Sequence, residues 1–250
     1  IASSSLNVPV FHIEAGLRSF NRFMYEENNR IITDHLSSIL FCPTENALLN
    51  LKNENIAKNA ILSGDVMLDA FLKFSTKQNH KFVQQISNDT KYILSTIHRR
   101  ENIFSKKNLS TIFSNLDKIN DQKKVIMPLH PHTKKIMNDY NIQSNITFID
   151  PQGYISFLSL LINSDMVITD SGGLQKESYF AKKKCMTIRN ETEWKELIDE
   201  RVNILCNPSD IFFAYERATK EKLNFSTSIY GKGNSSETIV RSIVNFFEND

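Results

Sequence analysis

Short runs of β-branched and aromatic apolar residues recur along this chain, each followed by a stretch with helical periodicity. Strands are predicted at 8–14, 40–42, 60–64, 91–97, 124–129, 145–149, 166–169, 184–188 and 202–205. Helices are predicted at 27–40, 44–53, 65–72, 105–120, 132–140, 153–163 and 235–248, with a further helix starting at the Ser171 turn. Strands of this kind, apolar on both faces and alternating with helices, are those of parallel sheets joined by right-handed crossovers. The fold class is therefore α/β. Residues 73–90 are polar and weakly periodic, which predicts a linker between two α/β domains. In such sheets ligands bind beyond the carboxyl ends of the strands, so strand ends are where chemistry is sought.

Composition excludes several classes. A net charge of +2 is too small to argue for nucleic acid or a membrane surface. No apolar run has the length of a transmembrane helix. Cys42, Cys185 and Cys206 are odd in number, far apart and without metal-ligand spacing, which predicts reduced, buried thiols in a cytoplasmic protein. The chain opens Ile1-Ala2-Ser3 and runs almost at once into the apolar strand around Phe11. A domain rarely begins on a central strand, so a further piece is expected upstream.

The run Asp170-Ser171-Gly172-Gly173-Leu174-Gln175-Lys176-Glu177 follows the strand Met166-Val167-Ile168-Thr169. A strand, two glycines and a helix start make an anion site, because glycine admits a ligand close to the backbone and the first helical N–H groups face it. The same residues also suit a simple helix cap. Glu177, further along the helix, is placed to reach a sugar hydroxyl. Glu14, in His12-Ile13-Glu14-Ala15-Gly16-Leu17-Arg18, closes the first strand beside a glycine turn, where it serves either a cleft or a salt bridge. Glu26 and Glu27 in the next segment suit a helix dipole, or one of them suits acid/base work with a partner on another segment.

His98-Arg99-Arg100 ends the strand at 91–97, a position for neutralising a diphosphate. His130 and His132 form a second strand-end pair. Metal binding there lacks a Cys or acidic partner of fitting spacing, so positioning is favoured. Phe157 suits either a stacked base or the core. Arg189 follows another apolar strand, close to the lone tryptophan, Trp194.

Taken together and in order, these segments resemble the non-hydrolysing UDP-N-acetylglucosamine 2-epimerase family. The resemblance rests on His12-Ile13-Glu14-Ala15-Gly16-Leu17-Arg18, Glu26-Glu27-Asn28-Asn29-Arg30, Thr96-Ile97-His98-Arg99-Arg100-Glu101, Leu129-His130-Pro131, and Asp170-Ser171-Gly172-Gly173 with Gln175 and Glu177. It implies a GT-B fold of two Rossmann-like domains facing a cleft. Residues 1–72 would be the remainder of the first domain, 73–90 a linker region, 91–234 the UDP-binding domain, and 235–250 a helix crossing back.

The implied reaction is loss of the sugar C2 proton with departure of UDP from C1, then re-addition of UDP after reprotonation on the other face. No cofactor and no metal take part. By motif, Glu14 and Glu26 match acid/base carboxylates and His98 a histidine beside the diphosphate. Ser171, Gly172 and Gly173 match the phosphate cradle, Glu177 the ribose ligand, and Gln152 and Phe157 the uracil site. Arg18 and Arg189 complete the binding set. The resemblance also implies a cytoplasmic homodimer that acts on a UDP-sugar for surface polysaccharide precursors.

Two departures stand out. The family's N-terminal half-domain, with its Gly-Asp-Thr motif, has no counterpart here. Where the main branch has Thr-Glu-Arg, this chain has Thr192-Glu193-Trp194, which looks more like the branch acting on UDP-2,3-diacetamido-2,3-dideoxy-glucuronate. The alternatives are a hydrolysing 2-epimerase that releases UDP and N-acetylmannosamine, a GT-B glycosyltransferase, and a fragment that only binds UDP.

Overall fold

Parallel pairing dominates the computed structural model, which describes residues 1–221, 223, 225 and 228–248. The chain divides into two compact units, Ile1–Lys73 with Ser226–Asp250, and Phe74–Phe225.

The first unit holds helix α1 (Ala2–Ser5), strand β1 (Phe11–Ile13), α2 (Tyr25–Leu36), β2 (Ile39–Cys42), α3 (Glu45–Asn53), β3 (Ala60–Leu62) and all but the end of α4 (Val66–Ser75). Its three strands form one parallel sheet in the order β1-β2-β3. Thr44 caps α3 by accepting the Ala47 N–H at 3.2 Å. The C-terminal helix, Ser235–Glu248, belongs to this unit and lays Ile239, Ile243 and Phe246 against Ile39, Phe41 and Phe11. These three helical residues are spaced four and seven apart, one stripe of a helix. The Asp69 carboxylate accepts the N–H groups of Ser235 (3.1 Å) and Ser236 (2.6 Å), tying down that helix's start. Burial pushes the Asp69 carboxyl up, but the Ser236 and Ser235 donors outweigh it and hold it below the usual carboxylate range.

The second unit continues with α5 (His80–Ser87), β4 (Ile93–Thr96), α6 (Arg100–Ile103), α7 (Lys106–Asn120), β5 (Val125–Pro128), α8 (Pro131–Asp139) and β6 (Thr147–Ile149). There follow α9 (Tyr154–Asn163), β7 (Met166–Thr169), α10 (Gly172–Phe180), β8 (Lys184–Ile188), α11 (Lys195–Asp199), β9 (Asn203–Cys206) and α12 (Ile211–Lys220); the C-terminal helix is then α13. The six strands are all parallel, in the order β6-β5-β4-β7-β8-β9. That is the doubly wound order 3-2-1-4-5-6 of dinucleotide-binding sheets. Helix α7 buries Leu109, Ile112, Phe113, Leu116 and Ile119, a helical stripe that joins Ile93, Val125 and Ile168 in one core.

Within 73–90, where the polar composition predicts a linker, the structure has helix α5. Its apolar content is only Phe82, Val83 and Ile86, and Val83 is buried. Asn79 caps its start by accepting the Phe82 N–H at 3.1 Å. Asn88 ends it in the left-handed conformation at φ 56°. The helix predicted at 27–40 stops at Leu36, because β2 begins at Ile39 in register with Phe11. Among the described residues no helix is long and apolar enough to cross a membrane.

Gly16 sits just past β1 at φ +79°, and a Cβ there would lie 2.3 Å from the Ala47 carbonyl oxygen on α3. Its own carbonyl accepts from Asn50 Nδ2 at 2.9 Å. Neither the backbone angle nor the contact tolerates a side chain. Gly16→Ala is expected to lower stability by about 2–4 kcal/mol in chemical denaturation; a wild-type midpoint would overturn this account of the turn.

Candidate functional site

Where strand order reverses in a parallel sheet, the loops leaving the two central strands diverge to opposite faces and leave a crevice at the carboxyl ends. Here the reversal lies between β4 and β7. A cavity of about 360 Å³ opens there, within the size range of small-molecule sites. Its wall gathers His98 after β4, His130 after β5, Gln152 after β6, then Phe157 of α9, Ser171 and Gly173 at the start of α10 and Glu177 further along it. His132 is not on that wall; its ring stands edge-on to Phe104, with centroids 5.5 Å apart.

The start of α10 is built by short polar contacts. Ser171 is the N-cap, and its hydroxyl accepts the Leu174 N–H at 3.4 Å. Its own N–H donates to Thr169 Oγ1 (2.9 Å), which meets Thr96 Oγ1 at 2.6 Å across β7 and β4. Gly172 and Gly173 take the first two helical positions, whose N–H groups have no acceptor within a helix. The cap uses the Leu174 N–H, while the anion-site reading concerns the Gly172 and Gly173 N–H groups. A Cβ on Gly172 would meet only Arg189 Nη1, at 3.8 Å. The protein would tolerate a side chain there, so the glycine keeps open space rather than relieving a clash.

The loop after β8 supports this helix. The Trp194 indole N–H donates to the Gly172 carbonyl at 3.2 Å, and the Lys176 ammonium lies 4.2 Å from the indole ring centroid. Gln175 Oε1 accepts from Thr192 Oγ1 (2.8 Å) and Asn203 Nδ2 (2.9 Å), while its Nε2 donates to the Ser171 carbonyl at 3.2 Å. Arg189 is buried and paired with Glu193 at 3.1 Å. Sequence reasoning assigned Gln175 and Lys176 no role. Both are fully buried polar residues, and only the fold reveals their partners.

Asp170, between β7 and α10, is completely buried. Its carboxylate accepts the backbone N–H groups of His98 (3.1 Å) and Arg99 (2.9 Å) and the Asn102 side-chain amide (3.0 Å). The turn after β4 is thereby fastened to β7. On the opposite wall Glu177 hydrogen-bonds the Tyr154 hydroxyl. Burial pushes the Glu177 carboxyl up, against the opposing pull of Tyr154 and the Lys176 charge.

In the first unit Glu14 closes β1 in the left-handed conformation, φ 73°, and is exposed. Glu26 is exposed in the first turn of α2. Its neighbour Glu27 is the buried one, accepting the N–H groups of Ser19 and Phe20, each at 2.9 Å, and pairing with Arg30 at 3.2 Å.

Arg18, expected to bind ligand, has its guanidinium held by partners within the first unit. Its guanidinium forks onto Glu54 through Nε and Nη2, both at 2.7 Å, and Nη1 meets Asp34 at 2.7 Å and the Leu17 carbonyl at 2.8 Å. The side chain is 1% accessible. Burial pulls its pKa down, while the Glu54 and Asp34 contacts outweigh that and raise it. The other Asp34 oxygen lies 2.6 Å from His12 Nδ1, so the ion network braces the turn after β1. Among the described residues no cluster of three or more His, Cys, Asp or Glu side chains is arranged to hold a metal ion.

The model of the UDP-N-acetylglucosamine 2-epimerase family matches residues 1–244. The chain belongs to this family. A UDP-N-acetylglucosamine 2-epimerase homolog of Methanococcus maripaludis is 42% identical, over 98% of this chain and 71% of its own length. The UDP-2,3-diacetamido-2,3-dideoxy-D-glucuronate 2-epimerase of Pseudomonas aeruginosa is 40% identical, over 96% of this chain and 69% of its own length. The crystal structure of the Methanocaldococcus jannaschii UDP-GlcNAc 2-epimerase in complex with UDP-GlcNAc and UDP superposes with a TM-score of 0.89 at 37% identity, covering 97% of this chain and 71% of that one. The α/β fold is that of these GT-B epimerases. The chain thus spans about 70% of the length of these relatives.

Two variants test the electrostatics. Asp34→Ala leaves Arg18 buried with half its charge partners, and a loss of about 3–5 kcal/mol is expected in chemical denaturation; a change below 1 kcal/mol would show that the network does not brace the turn. Glu177 has a folded pKa above its unfolded one, so its native form binds the proton more tightly. Stability then declines as pH rises through the window between those two values, and the penalty is complete above it. Glu177→Gln should flatten that decline and leave the chain no less stable at neutral pH in thermal unfolding. A variant destabilised at neutral pH contradicts the burial account.

Proposed function

We propose that this chain binds a UDP-sugar at the cavity of the strand-order reversal and takes part in inverting the sugar at C2. The observation that carries this reading is the convergence of His98, Gln152, Phe157, Glu177 and the α10 N-terminus on that cavity. A helix start with two glycines supplies N–H groups and a positive dipole end for a diphosphate. His98 neutralises charge on the departing UDP. The Arg189 cation, beside Gly172, adds to that field. The Phe157 ring stacks on uracil and the Gln152 amide hydrogen-bonds its edge. Glu177, steadied by Tyr154, accepts from the ribose hydroxyls.

Glu14 and Glu26 are read as the acid/base pair of the first unit. One takes the proton from C2 as the C1–O bond breaks and UDP leaves, giving a glycal. A proton is then delivered to the opposite face of C2, and UDP re-adds at C1. The relatives' names support two substrates, UDP-N-acetylglucosamine and the diacetamido-glucuronate. Trp194 favours the second. A cytoplasmic homodimer serving surface polysaccharide precursors completes the reading.

Incubation with either UDP-sugar in deuterated water should replace the C2 proton by deuterium, seen by NMR together with the C2 epimer. Absence of exchange with both sugars overturns the proposal, and free sugar without the epimeric nucleotide points to a hydrolase. Glu14→Gln should slow exchange by about 10²–10⁴-fold with UDP affinity kept. Glu177→Gln should instead weaken UDP binding about tenfold in calorimetry.

A further inference from the structure

His98 is exposed on the cavity wall, yet its surroundings on the other side are fully specified. Its backbone N–H donates to Asp170, and its Nδ1 lies 3.3 Å from Asp170 Oδ1. The residue before it is held from a third element, by Thr133 Oγ1 donating to the Ile97 carbonyl at 2.9 Å. Asp170 takes its other contacts from donors alone, namely the Arg99 N–H and the Asn102 amide. A carboxylate has only lone pairs to offer. A bare Nδ1 would set its negative end against the carboxylate charge at that distance. A protonated Nδ1 sets a positive end there instead.

We propose that Asp170 is a positioning residue that holds the His98 imidazole as its Nδ1–H tautomer and so leaves Nε2 as the atom free to exchange a proton at the cavity. The tautomer follows from the contacts of Asp170 itself, and only its use depends on the UDP-sugar reading. In that use the imidazolium gives the Nε2 proton to a β-phosphate oxygen as the C1–O bond breaks. The same nitrogen takes the proton back when UDP re-adds, and Nδ1–H stays beside Asp170 throughout. This is the division of labour by which a buried carboxylate orients a catalytic histidine elsewhere. Asp170 stands 72 residues from His98 in the chain, so no local spacing announces the pair.

Nitrogen-15 correlation spectra of the whole chain, labelled at its six histidines, read the tautomer directly. The signal is assigned by its loss in His98→Gln. Above neutral pH, in the absence of nucleotide, wild type should show His98 with a pyrrole-type Nδ1 and a pyridine-type Nε2. In Asp170→Asn the amide oxygen best replaces the oxygen facing Arg99 and Asn102, which turns the NH₂ toward Nδ1. The pattern should then invert to the Nε2–H form. An Nε2–H form in wild type overturns the proposal, as does an Nδ1–H form retained in the folded variant. If Asp170→Asn does not fold, the wild-type spectrum decides alone: a slowly exchanging Nδ1–H supports the assignment and an Nε2–H removes it. The measurement needs no substrate, so its outcome is independent of whether C2 exchange occurs.

Discussion

The pairing of β4 with β7 is the joint on which the second unit depends. The two strands run in step from Ile93 opposite Met166 to Thr96 opposite Thr169. Both chains therefore leave the sheet at the same level, and the next residues face each other. That register places Asp170 beneath the backbone of His98 and Arg99, and Ser171 where it caps α10. A slip of one residue would turn every side chain to the other face of the sheet. The carboxylate would then leave the turn it fastens, and the cavity would lose its shape.

Much of this was legible in the sequence, for a definite reason. Strands buried on both faces are continuous β-branched runs, so Met166–Thr169 and Lys184–Ile188 lie where they were expected. Helix α5 was hidden because Phe82, Val83 and Ile86 are few among polar neighbours, although Asn79 and Asn88 mark its two ends. A strand-end residue such as His98 could be singled out because parallel sheets place their ligands at one edge, whereas Gln152 was pointed to only by the family resemblance. The ion pairs of Arg18 could not be read. Its partners Asp34 and Glu54 are 16 and 36 residues away, and charge pairing over such distances leaves no periodic trace.

The two units draw on different physics. In the second, α7 and α12 bury apolar stripes against the sheet, in a core that extends from Ile93 to Ala218. In the first the sheet has three short strands, and its order rests on polar ties. Arg18, Asp34, Glu54 and His12 share one network, and Asp69 holds the start of α13. Buried ion pairs add little net stability over an apolar replacement, yet breaking one exposes the full desolvation cost of the survivor. The turn carrying Glu14 thus has one permitted arrangement and a steep penalty for leaving it.

The three thiols record the same division. Cys42 lies in the first sheet, while Cys185 and Cys206 lie in the second. All three are buried and unbridged, with burial pushing them up to about 12, 11 and 12 respectively. A thiol this shielded and this weakly acidic does not react with an alkylating reagent until its surroundings open. The chain thus carries a built-in clock for each unit. The modification rate at Cys42 times the opening of one sheet, and the rates at Cys185 and Cys206 time the other.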